Sequence, residues 1–300
     1  MDSPGLTQLS ATSAAHPADP SSFTRLVAAG GQLTADVDPR GARLATLVHR
    51  DSGRDALLHT AWEHEDWSGA FPATDSSAEW HRRYQGGWHV LAPHVGAARV
   101  LAGVEHPYHG EAAWRPWRVT DVTENSCALE VLLRTVPLRL RREFVLTDDA
   151  VQVVQHFVNL SSSAVSFSWT EHPAFGDALI DETSEVSVGG ERVDVRFPRQ
   201  GERHGGFATF DATGDGQFAI RNPRTRLEAL VEWDAELLPY ASAWQEHNKT
   251  QGFPWWGTTN TIGLEPASRD YHDVPSELGP LIVEPRGTLS SALKLSFRSY

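Results

Sequence analysis

The stretch from Leu138 to Val158 reads LRLRREFVLTDDAVQVVQHFV, and it decides the fold class. Its first half places every second residue on one face, as a half-buried strand does. That face consists of Leu138, Leu140, Arg142 and Phe144. Thr147-Asp148-Asp149 then predicts a turn, and Val151 to Val158 predicts a second strand. Two strands joined by so short a turn pair in antiparallel fashion.

The same alternation recurs on both sides of this stretch. The alternating sets are Leu33, Ala35 and Val37; Leu44, Thr46 and Val48; Val165, Phe167 and Trp169; Val186, Val188 and Val193; and Leu293, Leu295 and Phe297. Asp38-Pro39-Arg40-Gly41 and Gly189-Gly190 supply turn residues between them. Turn signals recur about every 8–12 residues, and no window longer than about ten residues holds a helical apolar stripe. The sequence therefore predicts an all-β chain, a large antiparallel β-sandwich with few short helices.

Length and charge exclude several classes of partner. The chain has 300 residues and a formal net charge of −13, which repels phosphate backbones and anionic headgroups. We therefore expect no nucleic-acid partner and no membrane partner. No apolar run approaches the roughly 18 residues of a membrane span. The single cysteine, Cys127, allows no internal disulfide, which favours a reducing, cytoplasmic location; its apolar strand context predicts a core position.

The N-terminal residues differ from the rest in composition. Residues 1–22 are rich in Ser, Ala, Pro and Thr. They lack the basic start and the apolar centre of a secretory signal, so we expect a disordered tail. Residues 23–300 show no internal repeat and no linker, which predicts a single β-sandwich domain.

Several loops are rich in Trp, His and Gly, and functional residues are common in loops; these loops are Trp62–Trp88, His89–Trp117, Trp169–Asp177 and Trp244–Glu265. Four segments in or beside these loops are the candidates for carrying chemistry. They are Gly86–Gly96, His106–Trp117, Ser168–Gly176 and Ile262–Ser268. A metal centre is not expected, because His106 and His109 have no third ligand at a recognisable spacing and no His-Glu-x-x-His sequence exists. A serine nucleophile is not expected either, since the chain has no Gly-x-Ser-x-Gly elbow.

Taken in order, the four segments resemble the aldose 1-epimerase superfamily over roughly Leu33 to Phe297. The spacing Gly-Gly-x-x-x-x-x-Pro-x-x-Gly at 86–96 and His-Gly-x-Ala-x-x-Arg-x-Trp at 109–117 is similar to its glucose-6-phosphate 1-epimerase branch. His172-Pro173-x-Phe175 is similar to the family's His-Pro-Tyr-Phe, and Leu264-Glu265-Pro266 to its C-terminal Glu motif. The resemblance implies the galactose mutarotase-like supersandwich, with a sugar cleft on one concave sheet.

The resemblance also implies roles for three residues. Glu265 falls at the family's general base, His172 at its general acid, and His109 at a second histidine that holds the sugar near its ring oxygen. No cofactor and no metal is implied, because anomer exchange needs only proton transfer at O1 and O5. Strand alternation puts His172 on the face opposite Trp169, so His172 faces the cleft if Trp169 faces the core.

Further residues are candidates for binding the substrate. Tryptophans on loops suit the apolar face of a pyranose, although packing at the rim is an equal alternative. The candidates are Trp67, Trp88, Trp114, Trp244 and Trp256, together with His94 and Asp177. The expected ligand is a small sugar, and the protein is expected to be a monomer or a homodimer.

Departures from the family pattern leave several functions open. The phosphate-handling branch carries Arg where this chain has Gln85 and Ala113, and Glu111 adds a carboxylate, which disfavours a phosphorylated sugar. Arg115, Arg82 and Arg83 remain nearby. The first hypothesis is therefore an aldose 1-epimerase that acts on a free sugar.

Three alternatives to that hypothesis stay open. One is a hexose-6-phosphate 1-epimerase, and another is a non-catalytic carbohydrate-binding protein of the same fold. The third is a polysaccharide lyase or a glycosidase. In a glycosidase Glu265 would act with Glu171 or Glu111, since that chemistry needs two carboxylates.

Overall fold

The structure is a computed structural model that describes residues 23–63, 76–273 and 276–300. The tail predicted over residues 1–22 and the candidate Trp67 lie outside the described residues. Within the described part of the chain, no helix is long and apolar enough to cross a membrane.

Strands account for most of the regular structure. In chain order they are β1 Thr24–Val27, β2 Leu33–Asp38, β3 Arg43–His49, β4 Arg54–Asp55, β5 Trp88–Leu91, β6 Arg99–Leu101, β7 Val104–His106, β8 Arg118–Val122, β9 Ser126–Leu132, β10 Leu138–Leu146, β11 Ala150–Asn159, β12 Val165–Phe167, β13 Thr170–Phe175, β14 Glu185–Val188, β15 Glu191–Val193, β16 His204–Asp211, β17 Gln217–Asn222, β18 Leu227–Glu232, β19 Tyr240–His247, β20 Asn260–Ala267, β21 Leu281–Val283 and β22 Thr288–Ser299. One α-helix, α1 Ser76–Arg83, and one 3₁₀ turn, Ala112–Trp114, complete the described elements.

The strands form two large sheets that face each other. The front sheet has the order β1-β2-β3-β5-β13-β20-β19-β16, with β4 attached to β3. The back sheet has the order β15-β14-β17-β18-β22-β11-β10-β9-β8. Two small sheets pair β12 with β21 and β6 with β7. Every pairing between these strands is antiparallel, which confirms the predicted all-β sandwich.

The hairpin from Leu138 to Val158 forms the middle of the back sheet. Phe144 pairs with Val153 across the turn, and β11 pairs on its other side with β22. Leu138, Leu140 and Phe144 are fully buried, so the alternation read from the sequence marks the core face. The terminal strand predicted around Leu293, Leu295 and Phe297 is present as β22, with all three side chains buried.

One predicted alternation is wrong. In β3, Leu44 is buried, but Thr46 and Val48 are only half-buried and the core position passes to Leu47. The cause is a β-bulge, because the register between β2 and β3 shifts between Asp36 and Val37. A bulge inserts one extra residue and so moves the following side chains to the opposite face.

The two faces of the front sheet bury different kinds of side chain. The inner face packs on the back sheet in one large apolar core that includes Trp88, Trp169 and, as predicted, Cys127. The outer face carries a smaller buried cluster that includes Trp80, Tyr84 and Trp255. This outer cluster surrounds the candidate site.

Candidate active site

His172 and Glu265 lie side by side on neighbouring strands of the front sheet. The register pairs Thr170 with Ala267 and Ala174 with Gly263, so His172 on β13 falls opposite Glu265 on β20. Nε2 of His172 is 3.3 Å from Oε1 of Glu265. Directly opposite residues of an antiparallel pair point to the same face, which here is the outer face.

The neighbouring residue, Glu171, shows why His172 points outward. Its carboxylate lies in the inner core, 2.7 and 2.8 Å from the guanidinium nitrogens of Arg142. Trp88 and Trp169 also donate their indole N–H groups to it, at 2.6 and 2.8 Å. Because successive side chains of a strand alternate between faces, this inward anchor directs His172 into the outer cleft.

Burial sets the protonation of the pair. Loss of water around the carboxyl raises the pKa of Glu265 to about 8. The same desolvation lowers the pKa of His172 to about 4. At neutral pH both groups are therefore mostly uncharged, and the pair holds one proton. Two such groups titrate as a unit, since each proton that leaves affects both.

Tyr84 lies on the other side of the His172 ring. Its hydroxyl is 3.4 Å from Nδ1 of His172, a long hydrogen bond, and the two rings meet edge-on at 5.5 Å between centroids. Tyr84 directly follows α1 and is buried. Its pKa is raised well above the usual range, first by burial and then by the nearby Glu265. The phenol therefore stays protonated and remains a hydrogen-bond donor.

His109 approaches the pair from a turn. It has a positive φ of 63°, and Gly110 follows with a φ of 72°. The backbone N–H of Gly96 donates to Nδ1 of His109 at 3.2 Å, so Nε2 carries the hydrogen and serves as the donor of the ring. Burial and the neighbouring His172 hold the pKa of His109 well below its usual value. The ring centroids of His109 and His172 are 6.3 Å apart.

These residues share one cavity of about 290 Å³. The described residues that line it are Trp80, His81, Tyr84, Tyr108, His109, His172, Phe207, Trp244, Trp255, Glu265, Tyr271 and His272. It therefore contains Glu265, His172 and His109, the three residues assigned catalytic roles through the resemblance. Trp244 is the single candidate stacking residue from the sequence that lines it among the described residues.

The structure places two other candidates in supporting positions. Trp88 is fully buried in the inner core, because β5 turns it toward Glu171. His94 is fully buried as well, and its Nε2 hydrogen-bonds the carbonyl of Pro107 at 2.8 Å. His94 thus supports the loop that carries His109 instead of facing the sugar. Neither residue is among the described residues that line the cavity.

Three further candidates lie away from the cavity. Trp114 packs behind Trp80, at 5.8 Å between ring centroids, and donates its indole N–H to the carbonyl of Tyr108. Trp256 is 63% exposed, because its positive φ of 50° turns it outward while its neighbour Trp255 lines the cavity. Asp177 accepts a hydrogen bond from Asn260 in a separate polar cavity.

Several lining residues were not anticipated from the sequence. They are Trp80, His81, Tyr84, Tyr108, Phe207, Trp255, Tyr271 and His272. Tyr108 directly precedes His109, and Trp255 directly precedes Trp256, so both lie in segments already marked as aromatic-rich. Trp80 and Tyr84 are four residues apart, the spacing of one helical face, but α1 has only eight residues and gives no long stripe.

The charged residues considered from the sequence are engaged elsewhere. Glu111 accepts hydrogen bonds from the backbone N–H groups of Arg134 and Thr135, both at 2.6 Å, and pairs with Arg115 at 3.2 Å. Arg82 and Arg83 pair with Glu79. None of these side chains lines the cavity as far as the described residues show. In the same part of the chain, no group of three His, Cys, Asp or Glu could hold a metal ion.

Comparisons with known proteins agree with this architecture. No protein-family model matches the sequence, and no curated protein matches it. Solved structures do match. The Slr1438 protein from Synechocystis sp. PCC 6803 is 17% identical, with a TM-score of 0.69 over 98% of this chain and 100% of its own.

Two further structures carry mutarotase names. The galactose mutarotase related enzyme from Lactobacillus acidophilus is 13% identical, with a TM-score of 0.68 over 93% of this chain and 98% of its own. A galactose mutarotase-like protein from Lactobacillus casei ATCC 334 is 16% identical, with a TM-score of 0.66 over 92% of this chain and 100% of its own. At these identities the likeness concerns the fold. This chain has the galactose mutarotase-like fold that its motifs indicate.

Proposed function

We propose that this protein is an aldose 1-epimerase, an isomerase that interconverts the α and β anomers of an unphosphorylated aldose. One observation carries the proposal: an imidazole and a carboxyl group lie 3.3 Å apart in a buried, aromatic-lined cavity. A volume of about 290 Å³ is at the lower end for small-molecule sites, which span roughly 300–1,000 Å³. Such a cavity suits a monosaccharide.

The reaction needs one proton acceptor and one proton donor. Glu265 as carboxylate takes the proton of the O1 hydroxyl, while His172 as imidazolium gives a proton to the ring oxygen O5. The C1–O5 bond breaks and C1 becomes the aldehyde carbon. Rotation about C1–C2 presents the other face of the aldehyde. Reversal of both proton transfers then closes the ring as the other anomer.

The proton count of the free site matches this requirement. The resting pair holds one proton, mostly on Glu265, because burial disfavours the charge on both groups. Transfer of that proton across 3.3 Å to His172 produces the carboxylate and the imidazolium together. The active form thus arises without net uptake or loss of a proton, so bulk buffer is not needed within a catalytic cycle.

His109 supplies a neutral hydrogen-bond donor beside the pair. Its Nδ1 is occupied by the Gly96 N–H, which leaves Nε2–H as the group that can donate to a sugar oxygen. A neutral donor near O5 holds the ring oxygen without adding a second positive charge next to His172. This arrangement supports the sugar-holding role expected for His109.

The lining favours a free sugar over a phosphorylated one. Phosphate sites usually present arginine or lysine, and the described lining residues include neither. The arginines near the cavity pair with Glu79 and Glu111. Inorganic phosphate would inhibit a hexose-6-phosphate 1-epimerase by competing with its substrate. We expect that phosphate does not inhibit anomer exchange by this protein.

The other functional classes find less support. A glycosidase needs two facing carboxylates. Glu171 is bound to Arg142 in the inner core, and Glu111 is bound to a backbone turn. A non-catalytic sugar-binding protein needs no acid paired with a base.

The test is anomer exchange measured by polarimetry and by NMR saturation transfer. Glu265→Gln keeps the shape of the side chain but removes the base, so we expect the exchange rate to fall about 100-fold or more. Glu191→Gln, at an exposed position of β15, is the matched control and should leave the rate unchanged. If calorimetry shows that the sugar binds but the wild-type protein does not accelerate anomer exchange, the protein is a non-catalytic sugar-binding protein.

A further inference from the structure

The cavity has an unusual composition for a sugar site. Of the twelve described lining residues, three are Trp, three Tyr, one Phe, four His and one Glu, so eleven carry a ring. None of the described lining residues brings an amide, a guanidinium, an ammonium or an aliphatic hydroxyl group. Binding sites usually add a few such groups to fix and recognise each substrate hydroxyl.

Several of the hydrogen-bonding groups that line the cavity are committed, whereas no hydrogen bond among the described residues engages the indole N–H groups of Trp244 and Trp255. Glu265 and His172 serve O1 and O5 in the proposed reaction. The hydroxyl of Tyr84 lies toward Nδ1 of His172, and the hydroxyls of Tyr108 and Tyr271 are 3.4 Å from each other. Nδ1 of His81 is 2.8 Å from the carbonyl of Ser77. The Nε2–H of His109 is the donor nearest to the catalytic pair.

The position of the exocyclic C6 group follows from the chemistry. C6 is attached to C5, and C5 is bonded to O5, so C6 lies two bonds from the oxygen that His172 protonates. Aromatic rings surround His172 on that side, with Tyr84 at 5.5 Å and Trp244 at 5.8 Å between centroids. Trp255 continues this wall, 5.9 Å from Trp244. With O5 at His172, as the proposed reaction requires, these rings border the space next to C6.

We infer, on the basis of the proposed function, that the site selects aldoses without a hydroxyl group at C6: 6-deoxyhexoses and aldopentoses. A hydroxymethyl group would place its hydroxyl beside Tyr84, Trp244 and Trp255, where it exchanges water for a mostly aromatic surface whose indole N–H groups donate but do not accept, which is unfavourable. A methyl group at the same place gains apolar contact with these rings. A 6-phosphate would place a dianion beside a lining that has no arginine or lysine among the described residues.

The test compares sugars that differ at C6 alone. The pairs are D-glucose with 6-deoxy-D-glucose, and D-galactose with 6-deoxy-D-galactose; D-xylose represents glucose without C6, and D-glucose 6-phosphate represents the anion. Anomer exchange is measured for each by NMR saturation transfer. We expect kcat/KM to be about tenfold or more higher for each deoxy sugar than for its parent. Equal or higher values for the parent sugars would overturn the inference and leave the proposed function standing.

A binding measurement separates this inference from the proposed function. Saturation-transfer difference NMR on wild-type protein and on Glu265→Gln reports sugar affinity without turnover. A preference for the deoxy sugars in binding, with no exchange of any sugar, would support the selectivity and reject the epimerase. No preference in binding and none in exchange would reject the selectivity.

Two variants test whether the aromatic rings beside His172 cause the preference for deoxy sugars. Trp244→Gln places an amide beside His172, where it offers a partner to a C6 hydroxyl, so the ratio of deoxy to parent sugar should fall toward one. Trp256→Gln changes the exposed tryptophan outside the cavity and should keep the ratio. An unchanged ratio in a folded Trp244→Gln protein would place the origin of any preference elsewhere.

Discussion

At the scale of single residues, the important feature is a carboxyl and an imidazole that are both shifted toward their neutral forms. Each shift has the same cause, since both groups are buried in the same cavity. The two shifts run in opposite directions because the carboxyl is charged when it loses its proton and the imidazole when it gains one. A wide pH range results in which the pair holds one proton.

This state predicts a bell-shaped pH profile for anomer exchange. Above about pH 8, Glu265 loses its proton while His172 stays neutral, so the base is present but the acid is not. Below about pH 4, His172 is charged and Glu265 is protonated, so the acid is present but the base is not. We expect kcat/KM to be nearly constant between these limits and to fall about tenfold per pH unit outside them.

The profile is measured by saturation-transfer NMR across pH 3 to 10, with the uncatalysed exchange subtracted at each point. A single transition near pH 6.5, the ordinary value for histidine, would show that His172 titrates alone and that the shared proton does not describe the site.

At the scale of elements, turns and loops bring the remaining residues to the front sheet. Gly110 lets the turn place His109: an added Cβ would lie 2.3 Å from the carbonyl oxygen of Ala92. Glu246 holds the loop after β19, accepting hydrogen bonds from the backbone N–H groups of Lys249 and Thr250 at 2.6 and 2.9 Å. That loop delivers Trp255 to the cavity.

Replacing Gly110 tests the first of these turns. We expect Gly110→Ala to lower the free energy of unfolding by about 3 kcal/mol and to reduce exchange, because the new methyl group displaces the turn that carries His109. Gly53→Ala is the control. Its φ of 61° is also positive, but nothing lies within 4 Å of the added Cβ, so it should cost about 1 kcal/mol and keep activity. Equal losses in both variants would show that the contact with Ala92 is unimportant.

Two adjacent tryptophans test the loop after β19. Trp255 lines the cavity and is 5% exposed, whereas Trp256 is 63% exposed outside it. We expect Trp255→Ala to raise KM about three- to tenfold through the loss of ring contact with the sugar. Trp256→Ala should leave KM unchanged. The comparison uses steady-state exchange kinetics on variants whose circular dichroism matches the wild type, and a larger effect at Trp256 would contradict the assignment.

At the scale of the whole molecule, a buried ion pair connects the two sheets under the site. Arg142 on β10 of the back sheet holds Glu171 on β13 of the front sheet, and both side chains are fully buried. The indole N–H groups of Trp88 and Trp169 complete the hydrogen bonds of the carboxylate. Glu171 directly precedes His172, so this connection fixes the strand that carries the imidazole.

Removing one partner of the ion pair between Arg142 and Glu171 should therefore destabilise the fold. Arg142→Leu leaves the Glu171 carboxylate buried without its cation, and we expect a loss of about 3–5 kcal/mol in the free energy of unfolding. Arg142→Leu with Glu171→Gln removes the charge as well but keeps an oxygen for the two indoles, so it should recover more than half of the loss. Urea denaturation measures both.

Exchange activity adds a second readout to this pair of variants. The double variant should keep most of its activity, because Glu171 faces away from the cavity. Loss of activity in a stable double variant would show that Glu171 takes part in the chemistry, as a glycosidase would require.

The sequence by itself determined the fold class and the identity of the central pair. Alternation of side chains is local, so the hairpin from Leu138 to Val158 and the position of His172 on the face opposite Trp169 follow from spacing alone. The ordered motifs indicated Glu265, His172 and His109, which now share one cavity as proposed site residues. Local patterns could reach this far because each depends on residues close together in the chain.

Tertiary structure alone decided which aromatic and charged side chains surround the pair. Trp88 and Trp244 were equal candidates for stacking on the sugar, but Trp88 lies in the inner core while Trp244 lines the cavity. Tyr84 and Trp255 reach the cavity, whereas Asp177 lies in another one. The physical reason is that contacts with distant strands decide which face of a strand borders the cavity and where a loop side chain points, and no local period records those contacts.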